Sequence, residues 1–199
     1  MNQTKEIGLI VLAAGASARL GTAKQLLKFQ GETLLRRIAR ESLVSVCRPV
    51  VVVLGDEADK FEGQLKNLDV CIVENSDWKE GMGSSVKVGL KKLLEIKNLV
   101  DGVVITVCDQ PFVTAATINR LVETYQKNET LIVASEYQET LGVPALFGKK
   151  LFSRLQKLKS GGAKQIINRF RAETTSIPFP NGAIDIDTPD DYARFSTNR

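Results

Sequence analysis

The 199-residue chain is 43% hydrophobic and 25% charged, enough for one globular domain with a substantial core and no need of metal or disulfide support. Its formal net charge is +4, with no basic run and no basic stripe interleaved with aromatics, so nucleic acid is not an expected partner. Histidine is absent, which excludes Ser-His-Asp and Cys-His nucleophilic catalysis and histidine-ligated zinc, and leaves the chemistry to carboxylates, Lys, Arg and hydroxyls.

Residues 7–14 form a nearly unbroken apolar run with β-branched Ile7, Ile10 and Val11. A run this short, closed by a glycine, predicts a strand buried on both faces, as in parallel sheets. The chain then turns small and polar through Gly15, Ser17, Arg19, Gly21 and Lys24. Small residues let the backbone approach a ligand with its N–H groups aimed at anionic oxygens. Arg19 adds a fork for two oxygens and Lys24 a mobile point charge. Together these describe a polyphosphate cradle; the plainer reading is a tight strand-to-helix turn with solvated cations. Spacing excludes a P-loop, because five residues separate Gly15 from Gly21 and Lys24 follows three later. The dinucleotide fingerprint fails as well, since Gly15-Ala16-Ser17 lacks its second glycine.

Next, Thr33 is placed to cap a helix whose apolar stripe runs through Leu35, Ile38, Ala39, Ser42, Leu43 and Val46, stopped by Pro49. Residues 50–54 read as a second buried strand ended by Gly55, residues 57–67 as a helix through Phe61 and Leu65, and residues 70–73 as a third strand. Gly81, Gly83, Ser84 and Ser85 then stand where a loop becomes a helix with Val86, Leu90, Leu93 and Leu94 on its apolar face. Such an N-terminus offers unpaired N–H groups to an anion or a ring carbonyl, and a simple N-cap by Ser84 or Ser85 explains the serines equally well.

Residues 103–108 are the most β-rich run and end in Asp109-Gln110-Pro111. An acid at the carboxyl end of a central strand lies where open α/β sheets bind ligands, and a hard cation such as Mg²⁺ takes such a carboxylate together with substrate phosphates. The alternative is Asp109 as a helix cap, although Thr114 is better placed before the apolar face of Ile118, Leu121, Val122 and Tyr125. Residues 131–135 and 143–147 read as strands, with Pro144 marking the latter as irregular or near an edge. Leu151, Leu155 and Leu158 predict a helix, and residues 160–164 open another with Ile166, Ile167 and Phe170 buried. Asp185 and Asp187 alternate onto one face of a short strand before Thr188 and Pro189 begin a last helix.

Cys47, Cys71 and Cys108 are odd in number and form no C-x-x-C, which predicts reduced thiols in a cytoplasmic protein, with Cys108 a small strand residue. No apolar run reaches membrane-span length and no secretory pattern opens the chain, so a membrane is not expected. The alternation of strands and helices predicts a single domain over residues 1–199, a three-layer α/β/α sandwich with a Rossmann-like, mostly parallel sheet.

Leu12, Ala13, Ala14, Gly15, Ser17, Arg19, Gly21 and Lys24 fit the pattern L-x-[AG]-G-x-[ST]-x-R-x-G-x-x-K. With the Asp109-Gln110-Pro111 segment and the closing D-I-D-T-P-D-D, the chain resembles the MobA-like nucleotidyltransferases, and among them the molybdenum cofactor cytidylyltransferases, over about its whole length. The resemblance implies a fold of nucleotide-diphospho-sugar transferase type. It also implies Mg²⁺-dependent transfer of CMP from CTP to the terminal phosphate of molybdopterin or its molybdenum form, with release of pyrophosphate. Leu12, Ala13, Ala14, Gly15, Ser17, Gly21, Gly83 and Ser85 would contact the nucleotide, Arg19 and Lys24 its triphosphate. Asp109 and Asp187 would hold Mg²⁺, with Asp185 the alternative to Asp187. A molybdenum hydroxylase or its maturation factor is the implied partner. Val143 and Ser160 depart from the family pattern at positions near the acceptor, often polar and Asp in relatives. Two neighbouring readings are a GTP-using guanylyltransferase, against which Ala14 argues, and a cytidylyltransferase for another phosphorylated acceptor. From another class comes a non-catalytic nucleotide- or cofactor-binding chaperone.

Overall fold

The apolar runs assemble into one seven-stranded sheet in the computed structural model, which describes residues 5–15, 23–55, 58–128 and 130–184. Strand β1 (Ile7–Ala13) is buried at every position, as a run apolar on both faces requires. The chain then forms a small hairpin, β2 (Lys28–Phe29) with β3 (Glu32–Thr33), turned by Gln30 and Gly31 at φ of 52° and 83°. Helix α1 (Leu34–Val44) follows, capped by the Thr33 hydroxyl, which accepts from the Arg36 N–H at 3.3 Å. Then come β4 (Val50–Leu54), α2 (Ala58–Leu65), β5 (Cys71–Glu74), α3 (Met82–Ile96), β6 (Gly102–Val107) and α4 (Ala115–Lys127). Thr114 caps α4, accepting from the Thr117 N–H at 3.3 Å.

The last elements are β7 (Ile132–Tyr137), β8 (Thr140–Gly148), α5 (Phe152–Leu155), α6 (Lys164–Arg169) and β9 (Thr174–Pro178). The strand order is β5-β4-β1-β6-β8-β7-β9, and only β8 runs against the others. One apolar cluster joins α1, α2 and α4 to the sheet through Leu9, Val11, Val52 and Val104. A second joins α3, α5 and α6 to the opposite face through Ile10, Leu12, Val53 and Ile105. The three-layer, mostly parallel sandwich expected from the sequence is the observed architecture.

The structure adds three local details. Helix α1 stops at Val44, and Val46 is 63% exposed rather than part of the buried stripe. The Ser45 N–H bonds the Glu41 carbonyl and the Ser45 hydroxyl bonds that of Ser42, closing the last turn before Val46. Strand β8, expected to be irregular or near an edge, is irregular but lies inside the sheet, between β6 and β7. Its register against β7 shifts between Ala134 and Ser135, leaving Val143 and Pro144 without ladder partners there, so the missing proline N–H costs no ladder bond. Strand β9, a short stretch with β-branched Thr174, Thr175 and Ile177, covers the edge of β7 and was not expected. The segment of Asp185, Asp187, Thr188 and Pro189 lies outside the described residues.

Helix α3 lies directly on β1 and β4. A Cβ added at Gly89 would come 2.7 Å from Ile10 Cγ2 and 2.8 Å from Val53 Cγ2, branch methyls fixed by their strands. Gly89→Ala is therefore expected to destabilise the fold by about 1–3 kcal/mol through overpacking, despite the higher helix propensity of alanine. Urea unfolding checks this, and an unchanged midpoint would show that the helix seats itself further out.

Candidate active site

Strands β1 and β6 are adjacent and parallel in the centre of the sheet, with Leu12 opposite Val107. The Cys108 N–H donates to the Leu12 carbonyl at 3.1 Å, so the two chains leave the sheet together. From β1 the path runs to α1 and β4 on one side, while β6 is reached from β5 on the other. This is the switch point at which open α/β sheets leave a crevice. Ala14-Gly15 and Asp109 emerge there side by side.

Two side chains from the turn at Lys24–Leu26 hold this end of the molecule. Lys24 Nζ donates to Asp109 Oδ2 at 2.5 Å, with the side chains 17% and 21% exposed. Partial burial and full charge on both partners make this a strong contact. Gln25 is 2% exposed, and its Nε2 donates to the Ala13 carbonyl at 2.8 Å and the Gly15 carbonyl at 2.9 Å. One amide thus spans the bend at Ala14. Gly55, after β4, gives the bend its room, since a Cβ there would lie 2.6 Å from the Ala14 carbonyl oxygen.

The facing wall is the entry to α3. Gly81 takes φ of 103°, a left-handed value that favours glycine. Ahead of it, Trp78 and Lys79 stand in a short turn, with the Lys79 ammonium 5.4 Å from the Trp78 ring centre. Neither Ser84 nor Ser85 is the N-cap, which is Gly81. Ser84 donates to the Gly81 or Asp77 carbonyl, at 2.8 and 2.9 Å, and the Asn75 amide donates to both serine hydroxyls, at 2.8 and 2.9 Å.

Between the two walls lies a cavity of about 310 Å³. Of the candidate residues, Leu12, Ala13, Ala14, Gly15, Lys24, Ser85 and Asp109 line it. Gly83 does not. It is buried against the segment between α5 and α6, where a Cβ would fall 1.7 Å from the Lys159 carbonyl oxygen, so close packing accounts for this glycine. Ser17, Arg19, Gly21, Asp185 and Asp187 lie outside the described residues. Val143 is half-buried in β8, and Ser160 sets its carbonyl against Gly81. Gln25, Trp78, Lys79 and Met82 also line the cavity and were missed. Gln25 left no distinct signal beside Lys24; Trp78 left one as the only tryptophan of the chain.

Asp109 supplies a hard oxygen donor on the cavity wall. Mg²⁺ commonly takes one or two carboxylates and completes its shell with phosphates and water, so Asp109 fits such an ion. Among the described residues no cluster of three or more metal-ligating side chains exists. Gln110, next to Asp109 in the chain, donates to the Gly182 carbonyl at 2.9 Å, while its Oε1 is buried with no partner among the described residues. Gly182 is thereby tied to the neighbour of Asp109. Burial, then the neighbouring Asp109 charge, pushes the Cys108 thiol well up, so it stays protonated, as expected of a plain strand residue. Cys47 is pushed up to about 12, chiefly by burial. Among the described residues no helix is long and apolar enough to cross a membrane.

Comparison with known proteins adds the family. The model of the MobA-like NTP transferase domain matches residues 9–175. The chain belongs to the MobA-like NTP transferase domain family. It is thus a member of a nucleotidyltransferase family. It is 36% identical over 118 residues to nicotine blue oxidoreductase of Paenarthrobacter nicotinovorans, covering 59% of this chain and 56% of that one. It is 25% identical over 190 residues to the molybdenum cofactor cytidylyltransferase of Escherichia coli K12, covering 94% and 93%. Among solved structures it is similar to Rv0371c of Mycobacterium tuberculosis H37Rv in complex with manganese. That match has 26% identity, covers 98% of this chain and 100% of the other, and has a TM-score of 0.74.

The single tryptophan in the cavity wall makes binding visible. Nucleotide added to the protein is expected to change its intrinsic fluorescence saturably, and Trp78→Phe to abolish the signal; a signal surviving in Trp78→Phe would place the change elsewhere. Gln25→Ala strips two loop carbonyls of their donor. It is expected to weaken nucleotide binding roughly tenfold while leaving the fold intact, as measured by calorimetry and circular dichroism.

Proposed function

We propose that the protein transfers CMP from CTP to the terminal phosphate of molybdopterin or its molybdenum form, with Mg²⁺, releasing pyrophosphate. The observation that carries this reading is the Lys24–Asp109 pair on the wall of a cavity bordered by Ala13-Ala14-Gly15 and Ser85. Full-length similarity to the molybdenum cofactor cytidylyltransferase supports it.

In the proposed reaction an oxygen of the acceptor phosphate attacks the α-phosphorus of CTP. The bond from that phosphorus to the bridging oxygen breaks, and pyrophosphate leaves with the electron pair. No covalent enzyme intermediate is needed, so the protein contributes alignment and charge. Lys24 exchanges its carboxylate partner for triphosphate oxygens and steadies the charge growing on the leaving group. Arg19 forks onto the same triphosphate. Asp109, released from Lys24, and Asp187 would hold Mg²⁺, which supplies neutralisation of phosphate charge when bound. Asp187 follows Gly182 by five positions, and Gly182 is held by the neighbour of Asp109. Two alanine methyls before Gly15 narrow the loop towards a pyrimidine. The proposed setting is the cytoplasm, with a molybdenum hydroxylase or its maturation factor receiving the product.

The relative named nicotine blue oxidoreductase favours a second, redox reading of the same cavity. The missing second glycine of the dinucleotide fingerprint speaks against it.

Pyrophosphate release, followed with Mg²⁺, molybdopterin and each of the four nucleotides in turn, tests the proposal. CTP is expected to be fastest, and equal or faster release with GTP overturns the cytidylyl reading. Asp109→Asn keeps the size of the side chain and removes its charge, so kcat should fall by roughly 10²–10³-fold with the fold preserved. Near-normal turnover in that variant removes Asp109 from the metal site. Lys24→Ala should raise KM and lower kcat together; a change in KM alone would make Lys24 a binding residue only.

A further inference from the structure

Asn75 follows β5 directly and is 1% exposed. Its backbone N–H donates to the Leu54 carbonyl at 2.8 Å, which holds the residue against the end of β4. The side-chain amide has no freedom to flip. Its Oδ1 faces the Asp77 N–H at 3.1 Å, a group that can only donate, so the oxygen must lie on that side. The NH₂ group therefore faces the serines, giving one hydrogen to Ser84 Oγ at 2.8 Å and the other to Ser85 Oγ at 2.9 Å.

A hydroxyl that accepts still has one hydrogen to give. Ser84 gives its hydrogen to a carbonyl, that of Gly81 or Asp77. Ser85 is 4% exposed, lines the cavity, and among the described residues no acceptor takes its hydrogen. Asn75 occupies one lone pair of Ser85 and offers no acceptor to it, so the Ser85 hydrogen is left to turn towards an acceptor in the cavity. Two neighbouring serines thus have different jobs. Ser84 closes the helix entry, and Ser85 presents a proton to the ligand.

We infer that Asn75 is a positioning residue that fixes the Ser85 hydroxyl as a donor to the nucleobase, so that the base is selected by an acceptor, the 2-carbonyl of a pyrimidine. This rests on the cytidylyl reading above. A carboxylate at position 75 has nearly the same shape but only accepts. It turns the Ser85 hydrogen inward and leaves an oxygen towards the ligand carbonyl.

Calorimetric titration with CTP, 2-thio-CTP, GTP and inorganic tripolyphosphate tests this on wild-type protein, Asn75→Asp and Ser85→Ala. Sulfur in place of the 2-carbonyl oxygen accepts hydrogen bonds weakly. Wild-type protein is expected to bind CTP roughly tenfold more tightly than 2-thio-CTP. In Asn75→Asp and Ser85→Ala that ratio should fall to about one through loss of CTP affinity, with tripolyphosphate binding unchanged. A role in folding alone would instead weaken tripolyphosphate and CTP together, and that result overturns the inference. So does a wild-type ratio near one, or a wild-type ratio retained in Asn75→Asp. Should Asn75→Asp fail to fold, Ser85→Ala decides: retained discrimination there overturns the inference. Tighter wild-type binding of GTP than of CTP sinks the cytidylyl reading, while collapse of the 2-thio ratio in the variants still upholds the role of Asn75.

Discussion

Lys24 and Asp109 lie 85 residues apart in the chain and meet at 2.5 Å. They meet because β1 and β6 are neighbours in register and both end at the same level of the sheet, the Cys108 N–H reaching back to the Leu12 carbonyl. A buried parallel pair leaves its next residues little choice of direction. Ala14 and Gly15 leave the end of β1 beside the end of β6, and the acid after β6 stands there with them. The ion pair then joins two segments that share no secondary structure, and each partner keeps some exposure to the cavity, where a phosphate or a cation can take its place. A cation and a carboxylate held this close balance each other while no ligand is bound. In the proposed reaction a phosphate would replace the carboxylate as the partner of Lys24, and a metal ion would replace the ammonium as the partner of Asp109.

Glycine at a few positions brings the walls close enough to act together. Gly55 lets the backbone at Ala14 cross the end of β4, and Gly83 lets the entry of α3 lie on the carbonyls of residues 159–161. Gly162 approaches the Met82 sulfur, so the segment after α5 backs the same wall that carries Trp78. None of these glycines needs to touch a ligand. Each removes a Cβ that would hold two backbone segments apart, and the width of the crevice follows from their sum.

Buried amides set the polarity of the crevice. Gln25 spends its donors on two carbonyls of the bend, and Asn75 spends its donors on two serines. Both are almost wholly buried, where an unpaired polar group is costly, so their hydrogen bonds orient the neighbours firmly. Gln110 is half of such a device. Its NH₂ holds Gly182, and its oxygen is buried with no partner among the described residues.

Strand and helix placement was legible in the residues themselves. Runs such as Val50–Leu54 have no polar face to offer water, and they pack between layers wherever the chain puts them. The place of Gly15 and of the acid after β6 at strand ends was legible for a similar reason: small residues and a carboxylate closing apolar runs have few structural uses. The sequence alone therefore determined a parallel α/β sandwich and the chemistry available to its crevice. Tertiary structure decided what depends on contacts distant in the chain. It assigned Gly83 to packing rather than to the cavity wall, brought β8 inside the sheet with its proline bulged out of the ladder, and picked Ser85 over Ser84 to face the cavity. Adjacent serines are indistinguishable as letters. Only the direction of α3 and the fixed amide of Asn75 give one hydroxyl a carbonyl to bind and the other an open space.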